Sequence, residues 1–167
     1  VIKEQGRIDL LVANAGYGSF TSVEETSSED VRKIFDVNVF GVERCIKAVL
    51  PQMRSQGSGR IVASTSVVAH VSLVGLGWYS ATKHSVRAMT NALRQEVKGL
   101  GIKVSTVEPG TSKTGFGAVA GTPTTKRKYT RVLSLKRDRC RRLYTSHNQV
   151  GLSIHSRFFA IGLFRFQ

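Results

Sequence analysis

The sequence predicts an α/β fold built on a doubly wound parallel sheet. Three short apolar runs, at residues 7–13, 59–66 and 102–107, alternate with two longer segments of helical periodicity. This order of strand, helix, strand, helix, strand is typical of parallel strands joined by crossover helices. Ligands of such sheets bind at the carboxyl ends of the strands, so the polar residues that follow each strand are the first candidates for a site.

The first strand and first helix are predicted from one apolar run and one set of helix signals. Residues 7–13 form a short apolar run that is unbroken over residues 10–13, which predicts a strand covered on both faces, and the run ends at the turn Asn14-Ala15-Gly16. Ser27 and the acidic residues after it mark a helix start. A long helix is therefore expected over residues 28–54, with a bend near Pro51.

The second half of the pattern repeats the first. Residues 59–66 predict a strand that ends at Ser66. A helix is expected over residues 79–98, where one face carries apolar residues at helical spacing (Val86, Met89, Leu93 and Val97). The third strand, residues 102–107, is closed by Pro109-Gly110.

Composition excludes several classes of protein. The longest apolar stretches fall far short of the ~20 residues of a membrane-spanning helix, so no membrane span is expected. The chain opens without Met or a secretory leader, which suggests an interior cut. Cys45 and Cys140 lie far apart without metal-ligand spacing, so we expect no disulfide framework, no metal site and a reducing, cytoplasmic compartment.

The net charge of +14 belongs mostly to the C-terminal segment. Residues 1–116 hold 14 Lys and Arg against 10 Asp and Glu, whereas residues 117–167 hold 11 against 1. Two parts are therefore expected, a folded domain over residues 1–116 and a basic tail over residues 117–167. The tail contains no recognisable nucleic-acid-binding module, so nucleic acid is not an expected partner.

Four polar side chains are candidates for chemistry. Tyr79 and Lys83 are four residues apart on one helix face, where an ammonium can lower the phenol pKa toward a value useful for proton transfer. The pair can equally be a solvated helix face. Ser66, at the end of a strand, can hydrogen-bond a substrate oxygen or simply cap its own turn. Asn38 lies within an apolar helix pattern, either as a buried structural amide or as a relay that holds a water near Lys83.

Five separated motifs together resemble the short-chain dehydrogenase/reductase family. They are Asn14-Ala15-Gly16, Asn38, Ser66, Tyr79-Ser80-Ala81-Thr82-Lys83 and Pro109-Gly110, in this order, and the resemblance covers about residues 7–116. Val107-Glu108-Pro109-Gly110 with Thr114 and Phe116 is similar to the branch that includes retinol and hydroxysteroid dehydrogenases. The resemblance implies a Rossmann-like sheet that is incomplete at the N-terminus of this chain.

The resemblance also implies an activity and roles for individual residues. The reaction would be the reversible interconversion of an alcohol and a carbonyl in a small molecule, with hydride transfer by NAD or NADP. Tyr79 would be the general acid/base, Lys83 would lower its pKa and hold the nicotinamide ribose, Ser66 would position the reacting oxygen, and Asn38 would complete a proton relay. Cofactor-binding residues would be Asn14, Ala15, Gly16, Tyr79, Lys83, Pro109, Gly110 and Thr114.

The sequence departs from the family at both ends. The Gly-rich phosphate-binding turn, T-G-x-x-x-G-x-G, is absent, and the late match Gly115-Phe116-Gly117-Ala118-Val119-Ala120 is interpreted as a decoy. The segment expected before residue 7 would take on the order of 80 residues, so the chain is interpreted as a fragment whose preference for NAD or NADP is unreadable. We expect the sheet to expose an edge where its first strands would pair.

The remaining expectations concern partners and the tail. The apolar faces of helices 28–54 and 79–98 resemble those through which the family forms homo-oligomers. The tail has three alternative interpretations: a nucleic-acid-binding segment, a disordered extension, or unrelated sequence joined to a truncated enzyme. We favour the last. The alternative to an enzyme is a non-catalytic remnant or interaction protein that keeps the fold.

Overall fold

The structure is a computed structural model that describes residues 2–110 and the backbone of residues 162–164. A four-stranded sheet forms its centre, in the order β3-β2-β1-β4. The strands are β1 (Leu10–Ala13), β2 (Gly59–Ser64), β3 (Ile102–Val107) and β4 (Gly162–Phe164). Strand β2 pairs in parallel with β1 and with β3. The predicted α/β fold, with parallel strands joined by crossover helices, is confirmed.

The free edge expected on β1 is occupied, so that expectation was wrong for this chain. Strand β4 lies antiparallel to β1, with Leu10 opposite Phe164, Leu11 opposite Leu163 and Val12 opposite Gly162. Its residues belong to the segment that the sequence assigns to the basic tail. Their apolar character and extended backbone suit strand pairing, but no local pattern indicates which strand they join.

The first long helix is interrupted, but at a different place from the one predicted. After the short helix α1 (Ile2–Gln5), α2 runs over Ser28–Phe35, a π turn follows at Asp36–Phe40, and α3 continues over Gly41–Gln56. Pro51 lies inside α3, which continues past it for five residues. The local break therefore comes from the extra residue of a π turn, a feature often found at functional sites, rather than from proline.

The second crossover is close to its prediction. A 3₁₀ turn at Val67–Ala69 follows β2, and α4 extends over Gly77–Glu96. Helices α3 and α4 share one core with the sheet, and its largest fully buried side chains are Leu11, Met53, Ile61, Val86 and Val97. Residues of β1 alternate between half-buried and buried. The expectation of full cover on both faces of β1 is thus not met by the described residues, among which α3 and α4 contribute to a single core.

Candidate active site

The polar residues that follow the three parallel strands lie along one edge of the sheet. Asn14 follows β1, Ser66 follows β2 by two residues, and Pro109 follows β3 by two. The segments after β2 and β3 are joined by backbone hydrogen bonds, from Thr65 N to Val107 O at 2.8 Å and from Val67 N to Pro109 O at 3.2 Å. The structure therefore brings together the turns that the sequence selected separately.

Tyr79 and Lys83 lie one turn apart near the start of α4. Only 7% of Tyr79 and 6% of Lys83 are exposed, so the pair is not the solvated helix face that was the alternative interpretation. Lys83 Nζ lies 5.7 Å from the centroid of the Tyr79 ring. A buried ammonium this close to a phenol can stabilise the phenolate form, because water screens the interaction weakly there.

Lys83 is held in place by the strand beside it. Its Nζ donates a hydrogen bond to the backbone oxygen of Ser64, at the carboxyl end of β2, over 2.9 Å. Burial lowers the pKa of Lys83 from 10.5 to about 8, because the charged form loses its hydration. Lys83 is therefore a fixed cation at pH 7 that titrates only slightly above the physiological range.

Asn38 lies in the π turn and is 1% exposed. Its Oδ1 accepts a hydrogen bond from Tyr17 N at 3.0 Å, and its Nδ2 donates to Tyr17 O at 2.9 Å and to Thr82 Oγ1 at 3.1 Å. The amide thus joins the turn after β1 to helix α4. These contacts match the structural interpretation of Asn38, since they involve every polar atom of its side chain.

Gly16 brings the turn after β1 against this group. A Cβ at Gly16 would lie 3.0 Å from Asn38 Oδ1 and 3.6 Å from Lys83 Nζ. Such a Cβ would lie closer to Asn38 than most real Cβ contacts do, so a side chain at this position would press on the amide. The glycine of Asn14-Ala15-Gly16 therefore allows the backbone to approach the two buried polar side chains.

Ser66 is buried and acts as a cap. Its Oγ accepts a hydrogen bond from Val68 N at 3.4 Å, at the start of the 3₁₀ turn. This is the local role that the sequence offered as the alternative. The contact uses the hydroxyl as an acceptor, so the hydroxyl hydrogen is not consumed by it.

Two contributors to the site were not singled out from the sequence. Thr82 Oγ1 accepts a hydrogen bond from Asn38 Nδ2 and donates one to Tyr79 O at 2.7 Å. Ser64 contributes only its backbone oxygen, for which a sequence carries no signal. Thr82 could have been found from its spacing, because it lies three residues after Tyr79 on the same helix face.

The other predicted cofactor residues are at the same edge or outside the described range. Asn14, Ala15, Pro109 and Gly110 are exposed there. Thr114 lies outside the described residues, as does the Gly115–Ala120 motif. Within the described chain, no group of three or more His, Cys, Asp or Glu side chains is placed to hold a metal ion. None of the helices in residues 2–110 is both long and apolar enough to cross a bilayer.

Comparison with known proteins decides the family. The family model described as short chain dehydrogenase matches residues 1–123. The chain belongs to the short-chain dehydrogenase family. The match extends slightly past residue 116, where the motif resemblance ends.

Relatives of this short-chain dehydrogenase chain differ in what their names say they act on. It is 40% identical over 116 residues to 3-ketodihydrosphingosine reductase of Bacteroides thetaiotaomicron. The aligned region covers 70% of this chain and 43% of that protein. It is also 40% identical over 114 residues to the (S)-acetoin-forming diacetyl reductase of Staphylococcus epidermidis, covering 68% of this chain and 44% of that protein. The chain thus spans less than half the length of these relatives.

A solved structure supports the fold. A short-chain dehydrogenase/reductase from Burkholderia phymatum, solved in complex with NAD, superposes with a TM-score of 0.73 at 27% identity. The superposition covers 90% of this chain and 56% of that protein. The Rossmann-like architecture expected from the motifs is confirmed.

Proposed function

We propose that this chain carries the catalytic part of an NAD(P)(H)-dependent oxidoreductase that interconverts an alcohol and a carbonyl. The observation that carries the proposal is the burial of Tyr79 and Lys83 side by side at the carboxyl ends of the strands. A buried lysine whose pKa lies near 8 is costly to keep, and such groups concentrate at functional sites. The proposed catalytic region is residues 1–116.

Tyr79 is the proposed general acid/base. In the direction of reduction, its phenol gives a proton to the carbonyl oxygen as that oxygen becomes an alcohol; in oxidation, the phenolate accepts the proton. The Lys83 ammonium stabilises the phenolate and is itself held by Ser64 O. Ser66 is proposed to donate its hydroxyl hydrogen to the reacting oxygen. Asn38 is proposed as a member of the proton relay besides bracing the turn after β1.

The described residues fit the nicotinamide half of a dinucleotide. Gly16 leaves no side chain between the turn after β1 and the Lys83 ammonium, and Asn14 and Ala15 are exposed beside it. Asn14, Ala15, Gly16, Pro109 and Gly110, with Thr114 and the Tyr79 and Lys83 pair, are the proposed binding residues. Nicotinamide supplies or accepts the hydride when it is bound. The proposed cofactor is NAD or NADP, without a stated preference.

The proposal includes an assembly and a compartment. Val37 and Phe40, in the π turn between α2 and α3, are exposed apolar side chains, which supports a homo-oligomer formed through residues 28–54 and 79–98. Cys45 is a free thiol, which is compatible with the reducing, cytoplasmic compartment. A small-molecule substrate is the proposed partner at the site itself.

Substitution of Tyr79 by Phe tests the proposed activity. It removes the proton donor and keeps the ring, so we expect kcat for carbonyl reduction to fall by about 100-fold or more while dinucleotide binding is retained. Steady-state absorbance of the reduced cofactor gives the rate, and titration of its fluorescence gives binding. Turnover that survives Tyr79→Phe contradicts the proposed role. The non-catalytic interaction protein is favoured if the longer protein that contains this chain neither binds dinucleotide nor reduces any carbonyl.

A further inference from the structure

Two loops meet beside the proposed catalytic pair. Loop A (residues 14–27) follows β1, and loop B (residues 65–76) follows β2. A backbone hydrogen bond of 2.9 Å joins Thr21 N of loop A to Gly75 O of loop B. Phe20 lies so close to Gly75 that a Cβ there would come within 2.7 Å of two carbons of the ring. The two loops are therefore packed against one another as a single surface.

The surface formed by the two loops extends to the side chain of Tyr79. Tyr79 forms a cluster with Ile34 and Val68, and four partly buried residues pack against that cluster: Tyr17, Phe35, Leu73 and Leu76. Two of them, Leu73 and Leu76, come from loop B, and Tyr17 comes from loop A. The atoms around the proposed acid/base are thus mostly apolar.

The outer part of the same two loops is also apolar. Val23 in loop A and Val67, Val71 and Val74 in loop B are exposed, by 60% in the case of Val23 and 51% in that of Val71. Single exposed apolar side chains are normal on a protein surface, whereas several on two touching loops beside a site indicate a partner that is itself apolar.

Few charges on these loops could pair with a charged substrate. The acidic and basic side chains of the two loops are Glu24, Glu25 and His70. Glu25 accepts a hydrogen bond from Ser22 Oγ at 2.8 Å, and His70 is paired with Glu108 at 2.8 Å. An anionic group buried on this surface would find no cation on these loops other than His70, which is already paired, and an unpaired buried charge is costly.

We propose that the substrate is an uncharged carbonyl or alcohol with a long apolar chain or ring system, seated on loops A and B beside Tyr79. This inference rests on the proposed function for the position of the reacting oxygen. It separates the two kinds of relative, because a lipid-like ketone suits this surface and a small polar diketone leaves it exposed to water.

Binding of matched ketones tests the substrate class without requiring turnover. The probes are 2-decanone and 9-oxodecanoate, which share the methyl ketone and differ in the far end, a methyl group in one and a carboxylate in the other; diacetyl is the small probe. Trp78 provides the signal, since it is the single tryptophan and its Nε1 contacts Val23 O of loop A at 3.4 Å. We expect 2-decanone to bind at least about tenfold more tightly than either of the others.

A pair of leucine substitutions locates the binding. Leu73→Asn, in loop B, is expected to weaken 2-decanone binding by about five- to tenfold. Leu100→Asn is the matched control, because Leu100 is exposed and lies two residues before β3, at the opposite end of the sheet. Val74→Asn replaces Leu73→Asn if the latter fails to fold, as judged by circular dichroism.

The outcomes separate this inference from the proposed function. Equal or tighter binding of 9-oxodecanoate or diacetyl overturns the apolar substrate, and so does an equal effect of the two leucine substitutions. A loop B substitution that changes only the oligomeric state, measured by light scattering, assigns the surface to a second copy of the chain and also overturns it. Selective 2-decanone binding without any reduction by NADH or NADPH supports this inference and contradicts the proposed activity.

Discussion

Lys83 is the residue whose burial is hardest to explain by stability alone. Its ammonium has one hydrogen bond, to Ser64 O, and the described residues place no carboxylate against it. A cation in this position costs free energy, since burial removes its hydration and no carboxylate among the described residues compensates for the loss. A chain that keeps such a group gives up stability, and in the proposed mechanism it gains an electrostatic field at Tyr79.

The pH dependence of stability measures that cost. Because the pKa of Lys83 is about 8 in the folded chain and about 10.5 when unfolded, the unfolded state binds more protons between these pH values. The free energy of unfolding should therefore rise with pH over this window, by about 3 kcal/mol from Lys83, and its contribution should be constant below pH 7. Urea unfolding of the parent chain and of Lys83→Met at several pH values isolates the effect as a difference. A difference that stays flat from pH 7 to 10.5 shows that Lys83 keeps an ordinary pKa.

At the scale of elements, two turns contact each other at the amino ends of β2 and β3, opposite the end of the sheet that carries the candidate site. Helix α3 ends just before Gly57, which has a φ of 63°, and β3 begins just after Gly101, which has a φ of 71°. The two turns touch, because a Cβ at Gly101 would lie within 1.8 Å of Gly57 O. Only glycine satisfies both the left-handed backbone and this close approach.

Gly99 and Gly101 lie in the same turn, and comparing them separates the cost of the left-handed backbone from the cost of the close approach. Gly99 also has a positive φ, of 90°, but a Cβ there would meet nothing within 4 Å. Gly99→Ala should therefore cost about 1 kcal/mol for backbone strain, whereas Gly101→Ala should cost about 3 kcal/mol or more through the added clash with backbone. Thermal and urea unfolding of both variants give the comparison. Equal destabilisation of the two would mean that the turns move apart freely.

At the scale of the whole molecule, strand β4 joins the last described residues to the first strand of the sheet. The backbone hydrogen bond from Arg60 N to Asp9 O, 2.9 Å long, shows that the backbone carbonyl of Asp9 points toward β2. Backbone groups alternate in direction along a strand, so Leu11 also faces β2, and Leu10 and Val12 face β4. Strand β4 therefore satisfies backbone groups that would otherwise form an open edge.

Hydrogen exchange at β1 tests this pairing. Phe164→Pro removes the backbone N–H opposite Leu10, and Phe164→Ile is the matched control because it keeps that N–H and a strand-forming side chain. We expect the amides of Leu10 and Val12 to exchange about tenfold faster or more in the proline variant, with Leu11 unchanged. Similar rates at Leu10 and Val12 in both variants would show that β4 does not protect this edge. Amide exchange followed by NMR resolves the individual residues.

Much of the fold and the placement of the candidate site residues could be predicted from local pattern. The three parallel strands, helix α4 and the turns that carry Asn14, Ser66 and Pro109 each depend on residues that are neighbours in sequence. The spacing of Tyr79 and Lys83 places them on one helix face in any α-helix. Parallel pairing then brings the turns to one edge, because strands with the same direction end on the same side.

Tertiary structure alone decided the features that join distant segments. The π turn at Asp36–Phe40, rather than Pro51, breaks the long helix, and its Asn38 is satisfied by Tyr17 and Thr82, which lie 21 and 44 residues away. The burial that lowers the pKa of Lys83 depends on groups far along the chain, and so does the pairing of β4 with β1. Sequence periodicity records which face of an element is apolar, whereas hydrogen-bond partners and desolvation are set only when the elements pack together.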